Sequence, residues 1–345
     1  MSVVCLKSRF TNALKCYWNY ALSLFGLVRI SHAPLFVSVE PAAVCQLRCP
    51  ECPVGLRQSS ITHQSSINRT SSIVQSSIPT MSLDLWHRVL SEIRDTAFIV
   101  QFYFQGEPLL NKDLPKMIAE AHEAGLYTIV STNAQALTPE LAKALVAAGL
   151  NRIIVSMDGL SEESYNAYRV GGNLEKTKAA LRYLREAKNK FQISNFLSLR
   201  NDCFKFQIEL QCLRLRTNEH EWSEFRRAYK QLGADRLVFK TAQLYDYKNG
   251  NPLMPSDARY SRYTKGADGM YHRRRLSRIC WRAWSGVVVT TNGEVLPCCY
   301  DKSCAHAYGN IKVSSLRELF GNEKALAFRK AALCQTPQIC QQCYK

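Results

Sequence analysis

Short apolar runs alternate along the chain with longer segments whose apolar positions recur three and four residues apart, the pattern of successive βα units. Residues 35–40 read as a first strand. A helix over 82–95 with Ser82 as N-cap follows, then a strand over 98–104, a helix over 112–124 closed by Gly125, and a third strand over 126–131. Thr138-Pro139-Glu140 opens the next helix with an N-cap and a first-turn proline, whose missing N–H no helix needs there. Gly149 ends that helix before a strand over 152–157. Segments 174–187, 206–216, 219–232 and 236–240 continue the alternation. About six βα units result, too few for a closed eight-stranded barrel. The expected fold class is α/β, a partial (β/α)6 TIM-like barrel with its site at the C-terminal ends of the strands, and a small C-terminal Cys-rich β-hairpin extension.

Three stretches depart from the alternation. Residues 14–30 are fairly apolar but are interrupted by Lys15, Asn19 and Arg29, and they are too short to span a bilayer. They predict an amphipathic helix packed on the domain or lying at a surface. Ser-Ser-Ile recurs at 59–61, 65–67, 71–73 and 76–78, a spacing that fits no solenoid, so residues 57–80 read as a low-complexity, mobile loop. Lys-Phe-Gln-Ile at 190–193 and again at 205–208 reads as a small inserted or duplicated segment. The predicted organisation is a helical segment over 1–34, a core over 35–265 and a small domain over 266–345.

Composition narrows this picture. A chain of 345 residues with 46% hydrophobic and 21% charged residues suits one large α/β domain with an appendage and excludes disorder throughout. The formal charge of +17 would attract anionic substrates or acidic partners without choosing among them. The run Arg273-Arg274-Arg275 beside Arg278 lacks interleaved aromatics, so it reads as a solvated basic face and no nucleic-acid partner is expected. Fourteen cysteines without a secretory signal read as reduced thiols or metal ligands, which predicts a cytoplasmic protein.

Cys45-x3-Cys49-x2-Cys52 follows directly on the first strand. Three thiolates on one short loop can hold three irons of a cubane and leave the fourth open to a small molecule. A structural zinc would need a fourth ligand, for which His63 is the one near candidate. The spacing resembles the signature of the radical S-adenosylmethionine (SAM) superfamily, and further elements follow in that family's order. Gln105-Gly106-Glu107-Pro108 resembles its Gly-Gly-Glu-Pro turn, with Gln in place of the first glycine. Ser131-Thr132-Asn133 and Ser156-Met157-Asp158-Gly159 resemble its polar strand ends. By this resemblance Gly106 and Glu107 receive the amino group of SAM, Ser131, Asn133 and Ser156 line its site, and Arg169 meets its carboxylate. Cys45, Cys49 and Cys52 would hold a [4Fe-4S] cluster. One departure stands out: Glu51 occupies the position before the third cysteine, where the family usually has an aromatic residue.

A second group of thiols closes the chain. Residues 286–290 and 294–296 flank Thr291-Asn292-Gly293, a two-strand hairpin signal that draws Cys280 and Cys298 together. With Cys340-x2-Cys343, Pro297-Cys298-Cys299-x-Asp301 and Gly309-Asn310-Ile311, the region resembles the SPASM extension, which in that family carries an auxiliary [4Fe-4S] cluster. The ligand set expected is Cys280, Cys298, Cys340 and Cys343, although Cys299, Cys304 and Cys334 offer other choices and a four-cysteine zinc site has the same spacing. Cys5, Cys16, Cys203 and Cys212 have no spacing partners.

The resemblance implies an enzyme that cleaves SAM reductively to a 5′-deoxyadenosyl radical and modifies a peptide or protein side chain. A carbohydrate or other small metabolite is the alternative substrate, and a non-catalytic iron–sulfur or zinc protein is the alternative of another class. The implied partners are the substrate and an electron donor such as a flavodoxin or ferredoxin. Lys240, Tyr245 and Tyr247 are candidates to line the substrate site, and no catalytic side chain is assigned.

Overall fold

The computed structural model describes residues 3–56, 79–197, 206–274, 280–334, 336–341 and 343. Most of the Ser-Ser-Ile loop, including His63, lies outside the described residues, as do the far part of the duplicated segment with Cys203, and Arg275 and Arg278 of the basic run.

In chain order the main elements are α1 (Val3–Leu24), β1 (Phe36–Val39), α2 (Leu83–Ile93), β2 (Ile99–Phe102), α3 (Leu114–Glu123), β3 (Tyr127–Thr132), α4 (Pro139–Ala147) and β4 (Arg152–Ser156). There follow α5 (Glu162–Asn166), α6 (Leu174–Leu197), β5 (Gln207–Arg214), α7 (Trp222–Ala228), β6 (Arg236–Thr241), β7 (Tyr263–Lys265) and β8 (Tyr271–Arg273). Last come α8 (Trp281–Ser285), β9 (Gly286–Val289), β10 (Glu294–Leu296), β11 (Gly309–Asn310), α9 (Leu316–Gly321), α10 (Glu323–Leu333) and α11 (Gln338–Gln341).

The caps act where the sequence places them. The Ser82 hydroxyl accepts from the Leu85 amide at 3.3 Å and the Thr138 hydroxyl from the Leu141 amide at 3.2 Å. Each satisfies an amide the helix cannot, a contribution of about 1 kcal/mol. α2 then buries Leu85, Trp86, Val89 and Ile93 along one stripe.

Two helix boundaries differ from the pattern. α1 starts well before residue 14 and ends at Leu24, ahead of Gly26, whose φ of +80° is a left-handed conformation that stops the helix. Arg9 and Asn12 of its first half are polar residues that the fold buries. α6 runs ten residues past the expected end at 187, through Lys188, Asn189 and Lys190 and the first copy of the repeat, because nothing in that stretch breaks a helix.

The chain forms two compact units, the first from residues 1–43, 79–129 and 275–345, the second from 44–78 and 130–274. In the first, strand order runs β11-β10-β9-β1-β2. β1 pairs in parallel with β2, Phe36 opposite Ile99, and with β9, Phe36 opposite Gly286. β9 and β10 form the expected antiparallel hairpin, Val289 opposite Val295. The Cys-rich hairpin is therefore a direct continuation of the strands beside β1.

In the second unit β4, β5 and β6 are parallel neighbours, Ile153 opposite Ile208 and Leu210 opposite Leu237, while β7 and β8 make a separate antiparallel ribbon. Among the described residues the strands are mostly parallel and do not close into a barrel, as the partial-barrel reading allows. No helix among the described residues is long and apolar enough to cross a membrane.

Candidate metal centres and cofactor site

The second unit gathers the first three thiols. The loop after β1 winds tightly: the Cys52 amide donates to the Cys49 carbonyl at 3.2 Å and the Leu56 amide to the Cys52 carbonyl at 2.9 Å. Gly55 makes this possible, since a Cβ there would collide with the Cys49 carbonyl. Cys49 is buried, Cys45 and Cys52 are half-buried, and all three pack on one apolar cluster with Leu47, Tyr168, Leu215 and Leu244.

Donors surround the sulfurs. The Leu47 amide lies 3.4 Å and the Asn133 side-chain amide 3.3 Å from Cys45 Sγ, and Arg169 Nη1 lies 3.9 Å from Cys49 Sγ. Asn133 in turn accepts from Gln46 Nε2 at 3.2 Å and from the Gln135 amide at 3.0 Å, so one side chain at the end of β3 ties down the cysteine loop. Burial pushes the Cys49 thiol up, Arg169 beside it pulls it down, and Cys52 raises it again. A thiol that resists ionisation alone, set among N–H donors aimed at sulfur, is suited to give up its proton to iron.

Asp158, just past the end of β4, is fully buried and organises the far side of this site. Its Oδ2 accepts from Arg169 Nε at 2.6 Å and its Oδ1 from the Leu213 amide at 2.6 Å. Burial alone would weaken the Arg169 charge, but Asp158 and Cys49 outweigh it and hold the guanidinium above its usual range. Arg169 is thus a fixed cation next to the thiols. Ser131 is half-buried and Ser156 buried where β3 and β4 finish. In the sequence Asp158 stands within Ser156-Met157-Asp158-Gly159 with no partner marked out for it. An acidic residue closing a strand eleven positions before an arginine was the available signal.

Glu51 does not line an aromatic slot. Its carboxylate accepts from the Tyr245 amide at 2.7 Å and from Asn251 Nδ2 at 3.1 Å, and burial pushes its pKa up. It fastens the cysteine loop to the segment after β6. Tyr247 stacks on Tyr263 at 4.3 Å between ring centroids.

Gly106 and Glu107 belong to the first unit. Gly106 has φ +66°, a turn that favours glycine, and Glu107 is buried with its Oε1 accepting from the Leu109 amide at 3.1 Å. The Gln that replaces glycine at 105 has a partner of its own, donating to the Lys302 carbonyl at 2.9 Å. Lys302 returns over the Phe104 ring, Nζ 4.3 Å from its centroid.

The second thiol group also lies in the first unit. Burial pushes Cys298 far up, and the neighbouring thiols Cys299, Cys280 and Cys340 add to this, so these sulfurs share one environment. Arg282 Nη1 lies 3.6 Å from Cys299 Sγ, and the Cys343 amide donates to the Cys340 carbonyl at 3.2 Å. Cys304 answers instead to Glu294 and Asp301, and Cys334 is exposed. Among the described residues no three His, Cys, Asp or Glu side chains converge as a single ion requires. A cubane sets no such requirement, since each thiolate takes its own iron.

Comparison with known proteins matches the two regions separately. The family model described as Radical SAM superfamily matches residues 39–199, and SPASM, an iron–sulfur cluster-binding domain, matches 280–344. An AdoMet-dependent heme synthase of Methanosarcina barkeri is 25% identical over 92% of this chain and 93% of its own. A PqqA peptide cyclase of Bradyrhizobium diazoefficiens is 27% identical over 77% of this chain and 66% of its own. Among solved structures, anSMEcpe with bound AdoMet superposes with a TM-score of 0.59 at 19% identity, covering 90% of this chain and 84% of that one, a likeness of fold.

Proposed function

Because the chain belongs to the radical SAM superfamily and carries its SPASM extension, with [4Fe-4S] clusters and SAM as cofactors, we propose that it modifies a peptide or protein side chain. When bound, cluster and SAM together supply a 5′-deoxyadenosyl radical that takes hydrogen from the substrate. The chain's own residues bind, orient and shield. The observation that carries this reading is the loop of Cys45, Cys49 and Cys52, wound on a single apolar cluster with Asn133 and Arg169 at its sulfurs.

On this reading Cys45, Cys49 and Cys52 hold the SAM-binding cluster. Arg169, oriented through its Nε by Asp158, offers its Nη groups to the SAM carboxylate, a charge-assisted contact. Gly106 and Glu107 would receive the SAM amino group, and Ser131, Asn133 and Ser156 are the further residues proposed to bind SAM. Leu47, Tyr168 and Leu244 keep water from the cysteine loop. Cys280, Cys298, Cys340 and Cys343 hold the auxiliary cluster, with Cys299 the rival ligand in the same environment. Full thiolate ligation suits electron transfer, and a flavodoxin- or ferredoxin-type protein is the proposed donor. Residues 35–265 are the proposed core and 266–345 the extension.

The relatives named PqqA peptide cyclase support a peptide target. A small-molecule substrate is the second reading, favoured by the heme synthase that matches nearly the whole chain. Anaerobically purified, reduced protein given SAM is expected to form 5′-deoxyadenosine, and the Cys45→Ala, Cys49→Ala, Cys52→Ala variant is expected to form none. Equal iron content in the two proteins would refute the ligand assignment.

A further inference from the structure

α1 is amphipathic the wrong way round for a helix packed on a domain. The side it buries is polar: Arg9 donates to the carbonyls of Gly125, Arg94 and Ala124 at 2.7, 2.6 and 2.6 Å. Asn12 exchanges hydrogen bonds with Ala33, 3.0 Å from its Nδ2 and 2.9 Å to its Oδ1, and Asn19 donates to Ser31 and His32 at 2.9 Å each. The side it leaves in solvent is apolar and aromatic. Leu6 is 49% exposed, Phe10 64%, Leu14 63%, Tyr17 60% and Trp18 60%, and Phe25 just beyond the helix is 82% exposed. At 100° per residue these positions fall within about a third of the helix circumference. Single exposed apolar residues are ordinary, but a continuous row of this length marks a surface that is covered in use.

Charge identifies what covers it. The first 39 residues contain Lys7, Arg9, Lys15 and Arg29 and no acidic residue. Lys7 and Arg29 are exposed, Lys7 on the same arc of α1 as the apolar row and Arg29 beyond the helix end. Lys15 is exposed too but shares a cleft of about 550 Å³ with Glu92 and Asp95, so it adds less. Apolar side chains flanked by cations, with Trp18 among them, fit the boundary between headgroups and acyl chains, where an aromatic ring keeps an apolar body in and a polar edge out, while Tyr17 lays one ring face on Trp281 at 4.7 Å between centroids. The whole chain, at +17, is drawn to the same surface.

We propose that the outer face of α1 docks on an anionic phospholipid membrane, lying in the interface without crossing it. The buried polar face is the fixture that holds this helix in place while its apolar side stays outward.

The test is flotation of the full-length protein, with clusters intact, on vesicles of phosphatidylglycerol and phosphatidylcholine, and on phosphatidylcholine alone. The wild type is expected to float with the mixed vesicles only. Phe10→Ala with Trp18→Ala should weaken that binding tenfold or more, and Lys7→Gln roughly fivefold. None should alter the far-ultraviolet circular dichroism or the rate of 5′-deoxyadenosine formation, because these side chains are exposed and outside the proposed SAM site. Absence of binding to mixed vesicles, equal binding to neutral ones, or full binding by the double variant would overturn the proposal. So would a wild-type dimer in light scattering that Phe10→Ala with Trp18→Ala converts to monomer, since the face would then belong to a second copy.

Discussion

Asp158 holds Arg169 by one oxygen and the Leu213 amide by the other, in full burial, so neutralising it leaves a guanidinium without a counter-charge. Asp158→Asn is expected to cost about 3 kcal/mol of stability, in the range for breaking a buried pair. It should also raise the SAM KM for 5′-deoxyadenosine formation at least tenfold. Arg169→Lys should not rescue, because an ammonium cannot serve carboxylates on two sides as a fork does; an unchanged KM in both variants would refute the role. His32 gives a pH-dependent case. Its Nε2–H donates to the Trp284 carbonyl at 2.8 Å and its Nδ1 accepts from Asn19 at 2.9 Å, so the neutral ring fits. Burial lowers its pKa from 6.5 to about 4. Stability is then undiminished above pH 6.5 and falls between 6.5 and 4, where the unfolded chain binds a proton that the folded one refuses. The loss reaches about 3 kcal/mol by pH 4. Calorimetry of wild type against His32→Gln should show that slope in the wild type only. That Cys45, Cys49 and Cys52 gather on one loop was legible in the sequence because their spacing is local. Asp158 and Glu51 were not, since their partners lie 11 or, for Tyr245, 194 positions away and no periodicity links them.

Elements were legible where local chemistry agreed with packing. Ser82, Thr138 and Gly149 mark boundaries that the fold keeps, because a cap or a left-handed turn is decided within four residues. The pattern of α1 is inverted: the polar residues Arg9, Asn12 and Asn19 are the ones that anchor it. Arg9→Ala removes three part-buried hydrogen bonds from a buried guanidinium to backbone carbonyls. A loss of about 3 kcal/mol is expected, at about 1 kcal/mol per bond, read as a lower urea midpoint with unchanged slope. The same substitution at Phe10, which is 64% exposed, should move the midpoint little. If Phe10→Ala destabilised as much as Arg9→Ala, the helix would be packed on its apolar side. The carboxy-terminal helices α9, α10 and α11 escaped the sequence reading. α9 and α11 are short, and α10, although capped locally by Asn322, is held from a distance where Arg329 donates to the Ala283 carbonyl at 2.7 Å.

At the scale of the whole chain, the two thiol groups belong to different compact units, each assembled from separate stretches of sequence. Contacts join residues 275–345 with β1 and β2, because β9 pairs along the open edge of β1, Val37 opposite Val287 and Val39 opposite Val289. A strand pairing over such a separation leaves no mark in local pattern. The consequence is testable in the iron content. Sites with no shared partners respond additively to substitution. Replacing Cys280, Cys298, Cys340 and Cys343 by Ala should therefore remove about half the iron and sulfide while the remaining cluster still reduces and binds SAM. Replacing Cys45, Cys49 and Cys52 should remove the other half and all 5′-deoxyadenosine formation. The combined variant should hold none. Electron paramagnetic resonance of the reduced proteins separates the outcomes, because only the cluster with an open iron should change its spectrum when SAM is added. If the four-cysteine variant lost all its iron, or kept both signals, the assignment of one cluster to each unit would be wrong.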